Sequence, residues 1–161
     1  MNASDNVARA GRRAGHWLPA VWIAAAIAAC GGSGQAPEDE IRAWVDRGHE
    51  AAEAKDRGEL MDMISPRYSD ARGNSRDDIE DLFRFYFFRT NSVALLVGID
   101  EIEVVGDTAA SVLLSVGMGA TTDGTLGFDA DAYRFALELE REDGGWQLVS
   151  GRWGELGGDL R

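Results

Sequence analysis

The sequence predicts an α+β domain in which helices come first and an antiparallel sheet follows. Three observations predict it. Apolar residues recur every three to four positions from about residue 38 to residue 90. After Asn91 they recur every second position, and Asp143-Gly144-Gly145 then supplies a hairpin turn between two such runs.

Ahead of the domain stands a leader. Arg9, Arg12 and Arg13 oppose the single acid Asp5, and the 13 residues from Trp17 to Ala29 carry no charge. At helical rise such a run is about 20 Å long, short of the roughly 30 Å hydrocarbon core of a bilayer. Pro19 interrupts it. A basic start, a short apolar middle and small residues at a boundary describe a secretory signal at 1–29 rather than a membrane span.

The boundary, Ile27-Ala28-Ala29-Cys30, holds the only cysteine of the chain. It resembles the lipobox of bacterial lipoproteins. The resemblance implies that the Cys30 thiol receives a diacylglycerol and that cleavage occurs before it. The bland alternative is a buried or free thiol. Two or more fatty chains anchor durably, at about 0.8 kcal/mol per buried methylene. Gly31, rather than Asp, follows the cysteine, which in such lipoproteins implies the periplasmic face of the outer membrane. Residues 30–37 then read as a lipidated cysteine and a small, flexible tether.

The full chain has 16 basic and 28 acidic residues; without the three arginines and one aspartate of the leader, 13 and 27 are left, a net charge of −14. A surface so acidic disfavours nucleic acid and anionic headgroups. A lone cysteine permits no internal disulfide, so the domain at 38–157 must stand on one core.

Its elements follow in order. Ile41, Trp44, Val45, Gly48 and Ala52 make one stripe of a first helix, with acids in its first turn and Gly58 as its stop. Leu60, Met61 and Ile64 belong to a short second helix that ends before Pro66. "RYSDARG" reads as a short extended piece. Ser75, with Asp78 three residues on, caps a third helix whose stripe is Ile79, Leu82, Phe83 and Tyr86. Phe85, Phe87 and Phe88 widen that stripe, which predicts a helix enclosed on more than one side. Val93, Leu95, Val97 and Ile99 share one parity and Ile102 and Val104 the other, so the first strand needs a bulge near Asp100. Ala110 to Met118 and Tyr133 to Leu139 alternate as two further strands, and Trp146 and Leu148 open the last.

The stretches "ELMDMISPRYSDARGNSRDDIEDLFRFYF" and "YRFALELEREDGGWQLVSGRW" resemble the nuclear transport factor 2-like (SnoaL-like, cystatin-like cone) superfamily, and more narrowly its bacterial lipoproteins. The resemblance implies three N-terminal helices packed in a strongly curved antiparallel sheet. The cone so formed can leave a pocket inside. It implies little about function, because isomerases, dehydratases, hydrolases, binding proteins and assembly domains share the fold.

Members that are enzymes place one or two carboxylates inside the cone, sometimes with His or Tyr. Here the candidates are Asp70, His49 and Tyr68. His49, four residues after Val45, sits at the edge of the first stripe, to face the pocket or an interface. Asp70 and Tyr68 share one face of the extended piece; inward, Asp70 is a base and Tyr68 an oxyanion donor, and otherwise Asp70 caps a turn. Trp44, Tyr86 and Tyr133 are candidate ligand-binding residues or core aromatics. Trp146 and Trp153 are open to the same two readings, and Arg84 and Arg89 are expected to reach solvent or, for one of them, to pair with a buried acid. "TTDGTLGFDAD" reads as a solvated loop. No metal-ligand spacing, phosphate loop or nucleophile elbow is present, and no cofactor is expected. The function that follows is a membrane-anchored envelope protein binding a small apolar ligand or an envelope protein, without catalysis and with a homodimer through the sheet possible in such a fold. The alternative is a pocket enzyme of isomerase, dehydratase or hydrolase type using Asp70 with His49 or Tyr68.

Overall fold

The structure, a computed structural model, describes residues 36–121 and 128–161. The signal segment, Cys30, the tether up to residue 35 and residues 122–127 of the acid-bearing loop lie outside the described residues.

Among the described residues three helices precede four strands: α1 (Pro37–Glu53), α2 (Arg57–Asp62), α3 (Arg76–Arg89), β1 (Ser92–Val105), β2 (Ala109–Thr121), β3 (Phe128–Glu142) and β4 (Gly145–Glu155). The strands pair antiparallel in the order β1-β2-β3-β4. This is the expected α+β architecture.

α1 begins on Pro37, whose missing N–H costs nothing in a first turn, and carries Glu38, Asp39 and Glu40 where the helix dipole favours acids. Its buried residues are Ile41, Trp44, Val45 and Ala51. The stripe therefore ends on Ala51 rather than on the expected Ala52. Nor does Gly58 stop the helix. The chain turns at Lys55, in the left-handed region at φ 55°, and Gly58 lies within the first turn of α2. Asp56 takes over the start of α2, accepting from the Glu59 N–H at 3.0 Å. At Gly48 an added Cβ would meet Met63 Cε at 3.1 Å, so the missing side chain lets α1 and the end of α2 pack closely.

The expected extended piece is a turn instead. Ser69 and Ser75 make a single bridge, and between them the chain reverses around Asp70. The cap of α3 is as read from the sequence: Ser75 and Asp78 form a reciprocal capping box, with Ser75 N–H donating to Asp78 at 2.8 Å.

The β1–β2 register slips between Ile99 and Glu101, at the predicted parity break, and β3–β4 slips between Glu138 and Leu139. Each extra residue bends its strand, and together they curl the sheet around α1. The concave face carries the core: Ile41, Trp44 and Val45 meet Val112, Leu114, Val116, Leu139 and Trp146. Leu139 is 1 % exposed and Ile41 fully buried. The convex face carries an ionic contact, with Asp100 accepting from Ser115 at 2.7 Å and lying 3.6 Å from Arg134, and also the exposed Leu96 and Val105. At the narrow end Glu40 accepts from Trp146 Nε1 at 3.0 Å and pairs with Arg141, which ties α1 to the last hairpin. Asp143 and Gly144 turn that hairpin with φ of 46° and 85°.

α3 departs from expectation. Only Ile79 is buried, while Leu82 is 49 %, Phe85 61 % and Phe88 90 % exposed. The reason lies in the packing. The α3 backbone comes close to α2 and to no strand. Ile79 and Phe83 hold its first half against Met61, Ile64 and Tyr68, and Arg76 donates to the carbonyls of Ile64 and Met61 at 3.1 and 2.8 Å. The second half stands away from the sheet.

Candidate functional site

Two chambers lie on the concave face. The inner one has a volume of about 260 Å³ and is walled by every helix and strand. Trp44, Val45, Gly48 and His49 come from α1; Leu60, Met63 and Ile64 from α2 and the residues after it; Phe83 from α3. The sheet contributes Leu95, Val97, Leu114, Val116, Met118, Phe135, Leu137 and Leu148. These strand residues alternate with those of the convex face, so period two alone places a hydrocarbon floor there. His49 is the only ionisable residue in this lining among the described residues.

Two polar atoms here make no hydrogen bond. Trp44, 7 % exposed, has an indole N–H with no hydrogen bond, and so does His49 Nε2. His49 Nε2 approaches Glu53 Oε1 at 3.4 Å without hydrogen-bonding geometry. Glu53 is engaged elsewhere, accepting from the Leu95 N–H at 2.8 Å. That bond, opposed by desolvation and helped by His49, holds the Glu53 carboxyl below its ordinary range.

The outer chamber, of about 570 Å³, occupies the gap under the second half of α3. Leu82, Phe85, Tyr86, Arg89 and Thr90 form one side; Met118, Asp131, Tyr133, Phe135 and Trp153 form the other. Met118 and Phe135 line both chambers, so the two adjoin. Burial raises the Tyr86 pKa, and the charge of Asp131 and neighbouring Tyr133 raise it further. Tyr86 therefore stays a neutral donor.

The candidates from sequence separate into three groups. Trp44 and His49 line the inner chamber, and Tyr86 and Tyr133 line the outer one. Asp70 and Tyr68 line neither. They do lie together, with Tyr68 Oη donating to Asp70 Oδ2 at 3.4 Å. Asp70, 8 % exposed, also accepts from the backbone N–H groups of Arg72 and Asn74 at 2.9 and 2.8 Å and from Asn74 Nδ2 at 2.7 Å. Burial by itself would raise its pKa, but these donors, the Asn74 side chain foremost, bring it below the ordinary aspartate value. Burial, then the Asp70 charge, pushes the Tyr68 hydroxyl upward. A carboxylate so held is a turn cap and a poor proton acceptor. Cys30 lies outside the described residues.

Sequence reasoning passed over Asp131; Arg89 reaches solvent as expected, but its place at a chamber was not foreseen. Asp131 sat in a stretch read as loop; β3 begins at Phe128, so Asp131 is a strand residue of the same parity as Tyr133 and Phe135. That parity was the available signal. Arg89 is exposed and yet lines the outer chamber, with its guanidinium 5.1 Å from the centre of the Phe85 ring. Among the described residues no group of three or more His, Cys, Asp and Glu is placed to hold a metal.

No protein-family model matches the sequence, and a search of curated proteins returns no match. Solved structures do match. A scytalone dehydratase-like protein from Novosphingobium aromaticivorans superposes with a TM-score of 0.67 at 13% identity, over 73% of this chain and 83% of that one. A ketosteroid isomerase-like protein from Erwinia carotovora atroseptica gives 0.62 at 15%, over 73% and 95%. A nuclear transport factor 2-like protein of unknown function in nutrient uptake from Rhodospirillum rubrum gives 0.58 at 19%, over 73% and 98%. The fold is thus the nuclear transport factor 2-like cone. Identities this low establish the fold and not the chemistry.

Proposed function

We propose that this protein is a lipid-anchored envelope protein whose cone binds a small apolar molecule without transforming it. The observation that carries the reading is the inner chamber: about 260 Å³ lined by hydrocarbon and aromatic side chains, with one ionisable residue in its lining among the described residues. A cavity of that composition selects by shape and apolar area, at about 25 cal/mol per Å² buried. The catalytic alternative, Asp70 with His49 or Tyr68, has less support. Asp70 and Tyr68 line neither chamber, and the oxygens of Asp70 are occupied by four donors. The anchor and the periplasmic location rest on the lipobox-like Ile27-Ala28-Ala29-Cys30.

The binding reading is tested by titrating the purified protein with N-phenyl-1-naphthylamine, a neutral fluorescent amphiphile. Saturable one-to-one binding is expected, and Leu114→Phe, which fills the chamber, should weaken it by about tenfold. Absence of saturation, or indifference to the filling of the chamber in a variant that still melts cooperatively, overturns the reading. For the anchor, membrane fractions of cells expressing Cys30→Ser should lose the protein; retention at parental levels removes that part of the proposal.

A further inference from the structure

The inner chamber accounts for an apolar body, and the outer chamber, which adjoins it, has a different chemistry. Building on the binding role proposed above, we infer that the outer chamber recognises a cationic head group, so that the ligand is an amphipathic organic amine whose hydrocarbon part enters the inner chamber. Four observations lead there.

The walls come first. Phe85, Tyr86, Tyr133, Phe135 and Trp153 all line a space of about 570 Å³. Aromatic faces carry negative charge density and attract alkylammonium groups, most strongly where water is partly excluded. The second observation is Asp131. It is the only carboxylate in this lining among the described residues, and its field raises the Tyr86 pKa. A carboxylate beside aromatic rings favours a cation over a neutral or anionic head.

Arg89 is the counter-argument, since a guanidinium at the rim would attract an anion instead. Its guanidinium already rests on an aromatic face. Arg89 Cζ lies 5.1 Å from the Phe85 ring centre, and Arg72, which does not line the chamber, sits 4.5 Å over Trp153. Rings of this chamber thus already take cations on their faces, which is the recognition a ligand ammonium would use. The last observation is the field of the whole chain. Its formal net charge is −12, so cations are concentrated and anions repelled well before contact.

The test compares three ligands of one chain length with the purified full-length protein by calorimetry at low salt: octyltrimethylammonium, octanol and octanoate. Octyltrimethylammonium is expected to bind about tenfold more tightly than octanol. Asp131→Asn should bring the two together without changing octanol, and Asp62→Asn, which removes an acid outside both linings, should leave the preference intact. Tetramethylammonium, a head without a chain, should bind weakly and depend on Asp131 in the same way. Octanoate as the tightest ligand, with a loss in Arg89→Gln, would overturn the inference in favour of an anion site. Equal affinity for octyltrimethylammonium and octanol would overturn it while leaving the apolar chamber standing. Failure of octanol to bind at all is the separate outcome that removes the underlying binding role.

Discussion

At the scale of single residues, Asp70 shows how one completed turn can hold a carboxylate in its charged form. Four donors converge on its carboxylate, two of them backbone N–H groups of the reversal that leads into α3. Asp70→Ala leaves those donors facing a nearly buried site, and should destabilise the protein by about 1–3 kcal/mol in urea unfolding at pH 7. The pH dependence has a definite sign. The folded pKa lies below that of the unfolded chain, so the stabilisation is complete above the unfolded value of about 3.9 and is lost as pH falls below it. Wild-type stability should therefore drop between about pH 4.5 and pH 3 more steeply than that of Asp70→Asn. Equal slopes would mean that the carboxylate is not held in its charged form. Nothing in "SDARGN" distinguishes a base from a turn cap, because both need an acid with a free oxygen nearby. The distinction lies in Asn74 Nδ2 and the Arg72 N–H, whose directions depend on the completed turn.

At the scale of elements, periodicity was legible where the partner surface is local. The slip at Asp100 could be read because a strand cannot change its buried parity without an extra residue. The capping box of α3 could be read because its two partners are three residues apart. The exposure of Phe85 and Phe88 could not. An apolar stripe states what a helix is able to bury and not whether a sheet comes within reach. The same gap hid the outer chamber, and Asp131 was missed because polar residues around it disguised the start of β3. α3 also depends on a distant clasp: Lys55 Nζ donates to the carbonyls of Phe87 at 3.1 Å and Thr90 at 2.8 Å, at the end where the helix dipole favours a cation. Lys55→Met should cost about 1–2 kcal/mol and speed amide exchange at 86–90 while leaving 79–83 protected. Uniform exchange along the helix would show that the clasp is not what holds its second half.

At the scale of the whole molecule, charge and core pull in opposite directions. Outside the leader the net charge is −14, and the domain at 38–157 holds no cysteine with which to form a disulfide. Ion pairs such as Arg67 with Glu140 and Glu142 are too few to offset the excess of acids. Added salt should screen the repulsion, and the melting temperature should rise by about 2–4 °C from 0.05 to 0.5 M sodium chloride. A fall over that range would show that the attractive pairs outweigh the general field.

The bonds along the outer side of β4 have a consequence for association. Leu148 exchanges hydrogen bonds with Met63 and Ser65, Val149 accepts from Ser69, and Trp153 exchanges two with Arg161. A foreign strand arriving at that border finds its donors and acceptors already taken, so this flank is closed to amyloid-like stacking and to end-to-end sheet fusion between copies.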